Sequence, residues 1–136
     1  MANIKTGAVN HQALTVSDLK RSQAFYTSLL GFQKVMDLSP TRVLLSNGST
    51  LIALTTAPDP SRAIHDDVFN ENRLGLDHLS LSVTGIKDLE EAVRIFDAAG
   101  VSHGEIKDLR PDLPIHVLAF RDPDNIQLEL TAPVSQ

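Results

Sequence analysis

The 136-residue chain has the composition of a soluble globular domain, with 42% hydrophobic and 21% charged residues. Its 12 Lys and Arg residues against 17 Asp and Glu residues give a net charge of -5, which does not support a nucleic-acid or anionic-membrane partner. The absence of cysteine excludes disulfides, thiolate metal ligands and a cysteine nucleophile. The sequence shows neither an apolar signal core nor an apolar run of membrane-spanning length, so we expect a cytoplasmic protein.

The first half of the chain predicts one β-α-β-β-β unit. Hydrophobicity alternates along residues 9–16, with Leu14 on one face of the strand and His11 on the other. Ser17 and Asp18 are candidate N-caps of a helix that reaches about residue 30 and is followed by Gly31. Three further strands are predicted at residues 32–36, 42–45 and 50–55, the last two joined by the turn Asn47-Gly48.

A segment rich in Pro, Ser, Asp and Asn follows, and it predicts a linker. We therefore divide the single domain into module one at residues 7–57, a linker at 58–74 and module two at 75–133. His65 lies in this linker and is a candidate lid residue with a catalytic role. The alternative is a solvated loop histidine.

The second module repeats the same order of elements. Leu79 and Leu81 form the apolar face of a strand, and His78 belongs to the other face. A helix at residues 88–99 ends at Gly100. Residues 101–109 contain a strand candidate, and two further strands are predicted at residues 115–120 and 126–131, with a turn at 122–125.

Two histidines, His11 and His78, occupy the same place in the two repeats, and Glu129 lies on the last strand of the second. Their strand faces carry small or polar neighbours, whereas the opposite faces carry Leu, Ile and Val. This pattern predicts a cavity wall with metal ligands that internal pseudo-symmetry brings together. A solvent-exposed sheet face is the alternative interpretation.

Three segments carry a resemblance to a known family: HQALTVSDLKRSQAFYTSLLGF, GLDHLSLSV and FRDPDNIQLEL. The chain resembles the vicinal oxygen chelate superfamily, which includes glyoxalase I, extradiol dioxygenases, fosfomycin-resistance proteins and bleomycin-binding proteins. The last segment is similar to the family ending R-D-P-D-G-N-x-x-E-L, without the Gly before Asn125. The resemblance implies an α+β fold of two tandem βαβββ modules, which form a cupped mixed β-sheet with the helices on the outer face.

The resemblance also implies one divalent metal ion, with His11, His78 and Glu129 at the ligand positions. In the first module, Ala53 occupies the position that corresponds to Glu129. Alanine cannot bind a metal, so open coordination positions remain. Two His and one carboxylate are typical of non-haem Fe(II) oxygenases, and Mn, Zn, Ni or Co remain possible. Short members of the superfamily often pair, so we expect a homodimer that binds a small-molecule substrate.

Three functions follow from this resemblance. An extradiol-type Fe(II) dioxygenase is favoured by the ligand set, although residues 49–51 and 119–120 lack the family's acid-base His and Tyr. A glyoxalase-like lyase or isomerase, or a thiol transferase, would use a redox-inert ion. The third alternative is a non-enzymatic binding protein for a bleomycin-type antibiotic. His116, on a predicted strand, is a candidate proton carrier for either enzyme, with a structural histidine as its alternative.

Overall fold

The computed structural model describes residues 2–134, which form two compact units, the first ending at Ile64 and the second beginning at His65. Each unit contains one α-helix and one four-stranded mixed sheet. This arrangement confirms the α+β fold of two tandem modules. The boundary falls inside the predicted linker, because Phe69 already pairs with unit 2: its N–H donates to the Asp124 carbonyl at 3.1 Å, and its carbonyl accepts from Asn125.

Unit 1 contains the elements β1 (Gln12–Thr15), α1 (Leu19–Leu29), β2 (Gln33–Ser39), β3 (Arg42–Ser46) and β4 (Leu51–Thr55). A 3₁₀ turn, Pro60–Arg62, follows β4. The strands lie in the order β1-β4-β3-β2, with β1 parallel to β4 and the other pairs antiparallel. The chain between the parallel strands β1 and β4 contains α1, β2 and β3, which gives the long connection that a parallel pair requires.

Local signals explain where α1 begins and ends. Asp18 is the N-cap, and its Oδ1 accepts a hydrogen bond from the Arg21 N–H at 3.0 Å. Gly31 follows the helix with a φ of +73°, a left-handed conformation that glycine adopts without steric cost. Tyr26 and Phe32 are fully buried and meet edge to face at 6.2 Å. The apolar side of α1 thus packs against its own sheet.

Unit 2 contains the elements β5 (Leu79–Ser82), α2 (Ile86–Ala99), β6 (Lys107–Asp108), β7 (Ile115–Arg121) and β8 (Gln127–Pro133). Its strand order, β5-β8-β7-β6, repeats that of unit 1, including the parallel pair β5 and β8. In α2 the buried residues are Leu89, Ala92 and Phe96, and the Phe96 ring stacks on Phe120 at 4.5 Å. The helix therefore covers one face of the sheet.

The strand candidate within residues 101–109 is found as a short strand. Lys107–Asp108 forms β6 and pairs with β7. His103 forms an isolated bridge to Phe120, and its ring nitrogens contact the Asp97 carboxylate and the Gly104 carbonyl, each at 2.6 Å. These local bonds hold the segment at the end of α2 instead of in a continuous ladder. Within residues 2–134, neither helix has the length and apolar character needed to cross a membrane.

Candidate metal-binding site

The two faces of the unit 2 sheet differ in chemistry. Leu128, Leu130 and Ala132 of β8 are buried on the side that α2 covers. Strand alternation turns the intervening residues to the other side, which we call the open face of unit 2. By the observed register, the open face of unit 2 carries His78, Ser80, Ser82, Gln127, Glu129, Thr131, Val117, Ala119 and Arg121.

His78 and Glu129 lie together on this face. The His78 Nε2 atom is 3.7 Å from the Glu129 Oε1 atom. The other ring nitrogen, Nδ1, is 2.7 Å from the Asp77 Oδ1 atom. Because a carboxylate only accepts hydrogen bonds, this contact assigns the proton to Nδ1 and leaves the Nε2 lone pair on the Glu129 side.

The pair fits a divalent metal ion. Imidazole nitrogen and carboxylate oxygen each lie about 2.1 Å from such an ion, so two ligand atoms of one ion are separated by at most about 4.2 Å. The observed 3.7 Å lies within this limit. Thr131 Oγ1 donates to Glu129 Oε1 at 3.3 Å and also contacts the Ser80 hydroxyl. Among residues 2–134, no group of three or more His, Asp or Glu side chains is gathered as a metal site.

Unit 1 places His11 in the corresponding position. His11 precedes β1 as His78 precedes β5, and its Nδ1 atom is 2.8 Å from the Asn10 Oδ1 atom. Ala13 pairs with Ala53 in the register in which Ser80 pairs with Glu129. The open face of unit 1, the side of its sheet that carries His11 and Ala53, therefore has alanine where unit 2 has its carboxylate. Unit 1 offers one candidate ligand and unit 2 offers two.

A polar network behind His78 was missed by sequence reasoning. Gln127 Nε2 donates to the Asp77 Oδ1 and carbonyl oxygen atoms, at 2.8 and 3.2 Å. Arg121 donates to both carboxylate oxygens of Glu71, at 2.7 and 2.9 Å, and its Nη2 is 3.4 Å from Gln127 Oε1. The Arg121 guanidinium lowers the pKa of Glu71 to about 2. Strand alternation does place Gln127 on the face of Glu129, but no local signal links Glu71 to a residue 50 positions away.

The structure does not bring His116 to this pair. His116 pairs with Ala132 and so lies on the α2 side of the sheet, opposite to Glu129. Its ring is 14% exposed, its Nε2 is 3.6 Å from Asp108 Oδ2, and its Nδ1 is buried without a partner in the described part of the chain. His116, which the sequence suggests as a proton carrier, thus lies on the face opposite to Glu129, because β7 turns its even-numbered residues toward α2.

His65 is likewise separate from the His78–Glu129 pair in its contacts. Its side chain is 94% exposed, and its Nε2 atom is 3.2 Å from the Asp66 Oδ2 atom. Asp66 itself has a φ of +53°, as expected for a turn residue in a loop. A role for His65 as a lid residue stays a prediction.

The turn before β8 shows how the chain departs from the family ending. Asp122 is buried, and its Oδ1 accepts from the N–H groups of Asp124 and Ile126 at 2.8 and 2.9 Å. Asn125 takes a φ of +66°, in the turn where the family pattern has glycine. Asn is among the non-glycine residues that tolerate this region best. The turn is thus preserved without the glycine, and β8 begins in the register that places Glu129 on the open face of unit 2.

Comparisons with known proteins support the resemblance. The family model of the glyoxalase/bleomycin resistance protein/dioxygenase superfamily matches residues 8–130. An uncharacterized Bacillus subtilis (strain 168) protein, YwkD, is 32% identical over 132 residues, which cover 90% of this chain and 94% of the relative.

Solved structures agree with this result. A glyoxylase/bleomycin resistance protein/dioxygenase domain from Frankia sp. EAN1pec has a TM-score of 0.79 and 32% identity, with 95% of this chain and 93% of that chain covered. A lactoylglutathione lyase from Agrobacterium tumefaciens has a TM-score of 0.71 and 21% identity, with coverages of 94% and 96%. The second likeness shows the fold alone.

Proposed function

Because the chain belongs to the glyoxalase/bleomycin resistance protein/dioxygenase superfamily, we propose that it is a divalent-metal-dependent enzyme acting on a small organic substrate. The observation that carries the proposal is the His78–Glu129 pair, in which the proton on His78 Nδ1 leaves Nε2 free beside a carboxylate oxygen. His78 and Glu129 would hold the ion, and the family resemblance assigns a further ligand position to His11, whose Nδ1 atom lies 2.8 Å from the Asn10 Oδ1 atom.

The residues around the proposed ion have defined tasks. When bound, the ion supplies Lewis acidity that polarises substrate oxygen atoms and stabilises developing negative charge. Asp77 holds the His78 ring, and Thr131 donates a hydrogen bond to Glu129 that orients its carboxylate. Two neutral imidazoles and one carboxylate leave a net positive centre, which favours an anionic oxygen donor as substrate.

The ligand set favours an Fe(II) oxygenase of the extradiol type, because two His and one carboxylate leave coordination positions open for substrate and oxygen. A second candidate is a lyase, isomerase or transferase that uses a redox-inert ion. The observation in its favour is the surroundings of Glu129, where Ala119 is the direct cross-strand neighbour and His116 faces the other way. Residues 119–120 thus supply no tyrosine beside Glu129, which is the residue that the family resemblance leads us to expect there for ring cleavage.

The first experiment measures the metal content of anaerobically purified protein by mass spectrometry, in the wild type, Glu129→Ala and Glu90→Ala. Glu90 is an exposed residue of α2 and serves as the matched control. We expect about one ion per site in the wild type and the control, and at least a tenfold loss in Glu129→Ala, because a ligand is removed. Equal metal content in Glu129→Ala would overturn the site assignment.

The identity of the metal then separates the candidates. Iron directs attention to oxygen uptake with catechols, whereas zinc, nickel, cobalt or manganese without oxygen uptake supports the second candidate. A protein that binds no metal under any loading condition would contradict the enzyme proposal and favour the non-enzymatic binding protein. Light scattering on the same samples tests the proposed homodimer, for which the edge strand β2, whose residues are all exposed, is a candidate surface.

A further inference from the structure

One oxygen atom of Asp77 is shared between two neighbours. Its Oδ1 accepts from Gln127 Nε2 at 2.8 Å and lies 2.7 Å from His78 Nδ1. Gln127 Nε2 also donates to the Asp77 backbone carbonyl at 3.2 Å. The glutamine amide therefore contacts both the backbone and the side chain of the residue that holds the histidine ring.

We propose that Gln127 is a positioning residue for the metal-binding histidine: it fixes the Asp77 carboxylate so that His78 carries its proton on Nδ1 and presents Nε2 on the side of Glu129. The inference rests on the proposed function of His78 as a ligand. A histidine whose second nitrogen is held by a carboxylate has a fixed tautomer and a fixed ring orientation. The Asp77 carboxylate can orient the His78 ring only if its own position is fixed. The two hydrogen bonds from Gln127 Nε2 to Asp77 fix that position.

The orientation of the Gln127 amide follows from its two neighbours. The Arg121 guanidinium can only donate hydrogen bonds, and its Nη2 atom lies 3.4 Å from Gln127 Oε1. The Asp77 carboxylate can only accept, so the amide nitrogen belongs on its side. The opposite orientation of the amide would place an oxygen against a carboxylate and a nitrogen against a cation.

Arg121 is in turn held in place by Glu71. The two parallel hydrogen bonds between guanidinium and carboxylate restrict the position of Arg121, and both side chains are only about one-quarter exposed. The Arg121 Nη1 atom also donates to the Asn125 carbonyl at 3.1 Å. The network therefore runs from Glu71 through Arg121, Gln127 and Asp77 to His78.

The described residues of unit 1 have no counterpart of the Gln127–Asp77 contact. The register pairs Gln12 with Ile52 and Leu79 with Leu128, so the residue that corresponds to Gln127 is Leu51. The residue that holds His11 is Asn10, whose amide has both a donor and an acceptor atom and does not by itself select one tautomer. His11 is thus an internal reference for the effect of the Gln127–Asp77 contact on His78.

The test replaces Gln127 with Met, which keeps the length of the side chain and removes its donor. Gln127→Glu is a second variant, which keeps the shape and also removes the donor. Gln33→Met, at an exposed position of β2, is the control. The tautomers of His78 and His11 are read from imidazole ¹⁵N shifts of the metal-free protein in buffer of pH about 8.5. Manganese(II) and zinc(II) affinities are measured in parallel.

We expect His78 in the wild type and in Gln33→Met to be the Nδ1–H tautomer. In both Gln127 variants we expect a mixture of tautomers, an unchanged His11 spectrum and metal binding weakened about tenfold. An unchanged His78 spectrum with unchanged metal affinity in folded Gln127→Met would overturn the inference and leave the proposed function standing. If the wild type binds no metal, the proposed function fails, while the tautomer comparison in the metal-free protein still decides whether Gln127 positions the ring.

Discussion

The open faces of the two units share a register and differ in chemistry. The paired positions Ala13 and Ala53 of unit 1 correspond to Ser80 and Glu129 of unit 2. On the helix-covered sides the corresponding residues stay apolar: Ile52 and Leu128 are both fully buried. Packing against a helix therefore constrains one side of each sheet in the same way, whereas the other side carries different groups in the two copies.

The polar side chains on the open face of unit 2 need hydrogen-bond partners, whereas the alanines at the corresponding positions of unit 1 do not. A polar group on a half-buried face loses free energy unless it is hydrogen-bonded. Residues 65–78 supply these partners, because Glu71 pairs with Arg121 and Asp77 with Gln127. A segment that reads as a linker is thus part of the site of unit 2, which explains why the boundary between the units lies at residue 64.

The largest expected effect comes from making the two units alike. Ala53→Glu places a carboxylate at the position in unit 1 that corresponds to Glu129. The variant gives unit 1 the same combination of histidine and carboxylate that unit 2 carries, so we expect metal binding to tighten on the order of tenfold, since ligand charge count tunes such sites. Calorimetric titration with manganese(II) measures the change.

Ala53→Gln is the matched control, because it has the same shape without the charge. Ala53 is 5% exposed, so the metal-free Ala53→Glu variant should melt several degrees lower, and metal should restore part of that loss. Affinity that is unchanged in Ala53→Glu, or raised equally in Ala53→Gln, would show that a carboxylate at position 53 does not act as a metal ligand.

A smaller effect is expected from the Glu71–Arg121 pair, which has no counterpart in unit 1. Arg121→Met should lower the melting temperature by about 5 °C at neutral pH, because it leaves the Glu71 carboxylate without its donor. The pKa of Glu71 falls from 4.5 to about 2 in the folded state, through hydrogen bonds from Arg121. The stabilisation is therefore present above pH 4.5 and is lost as the pH falls toward 2.

Glu71→Gln is the test of this acid dependence. Melting temperatures from pH 6 down to 2 should fall less steeply in Glu71→Gln than in the wild type, and Glu105→Gln, at an exposed position, should follow the wild type. Parallel profiles for the wild type and Glu71→Gln would contradict the assigned ion pair.

The smallest effect concerns His103. The Asp97 carboxylate, and secondly the Gly104 carbonyl, raise the pKa of His103 above its ordinary 6.5, because both ring nitrogens face acceptors. Its stabilisation is complete below pH 6.5 and is lost as the pH rises through the folded-state pKa. We expect a decline in melting temperature of about 2 °C between pH 6 and 9 that His103→Gln removes. A decline that persists in His103→Gln would assign it to other groups.

Sequence reasoning predicted the elements that depend on local signals. The Asp18 cap, the left-handed glycine after each helix and the alternation around His78 each follow from neighbouring residues, and the structure confirms them. It also placed Ala53 opposite Glu129, and the observed strand register agrees. The strand candidate within residues 101–109 corresponds to the two-residue strand β6, while the ring of His103 contacts Asp97 and Gly104 at the start of the same segment.

By itself the sequence determined the repeated βαβββ order, because period and spacing are properties of neighbouring residues. Its resemblance to the family indicated His11, His78 and Glu129 as candidate ligands. Only the tertiary structure decided which groups support them. The faces of β7 depend on its pairing with β8, which turns His116 away from Glu129. The hydrogen bonds from Arg121 to Glu71 and from Gln127 to Asp77 span about 50 residues, and such contacts arise only when the chain folds back on the sheet.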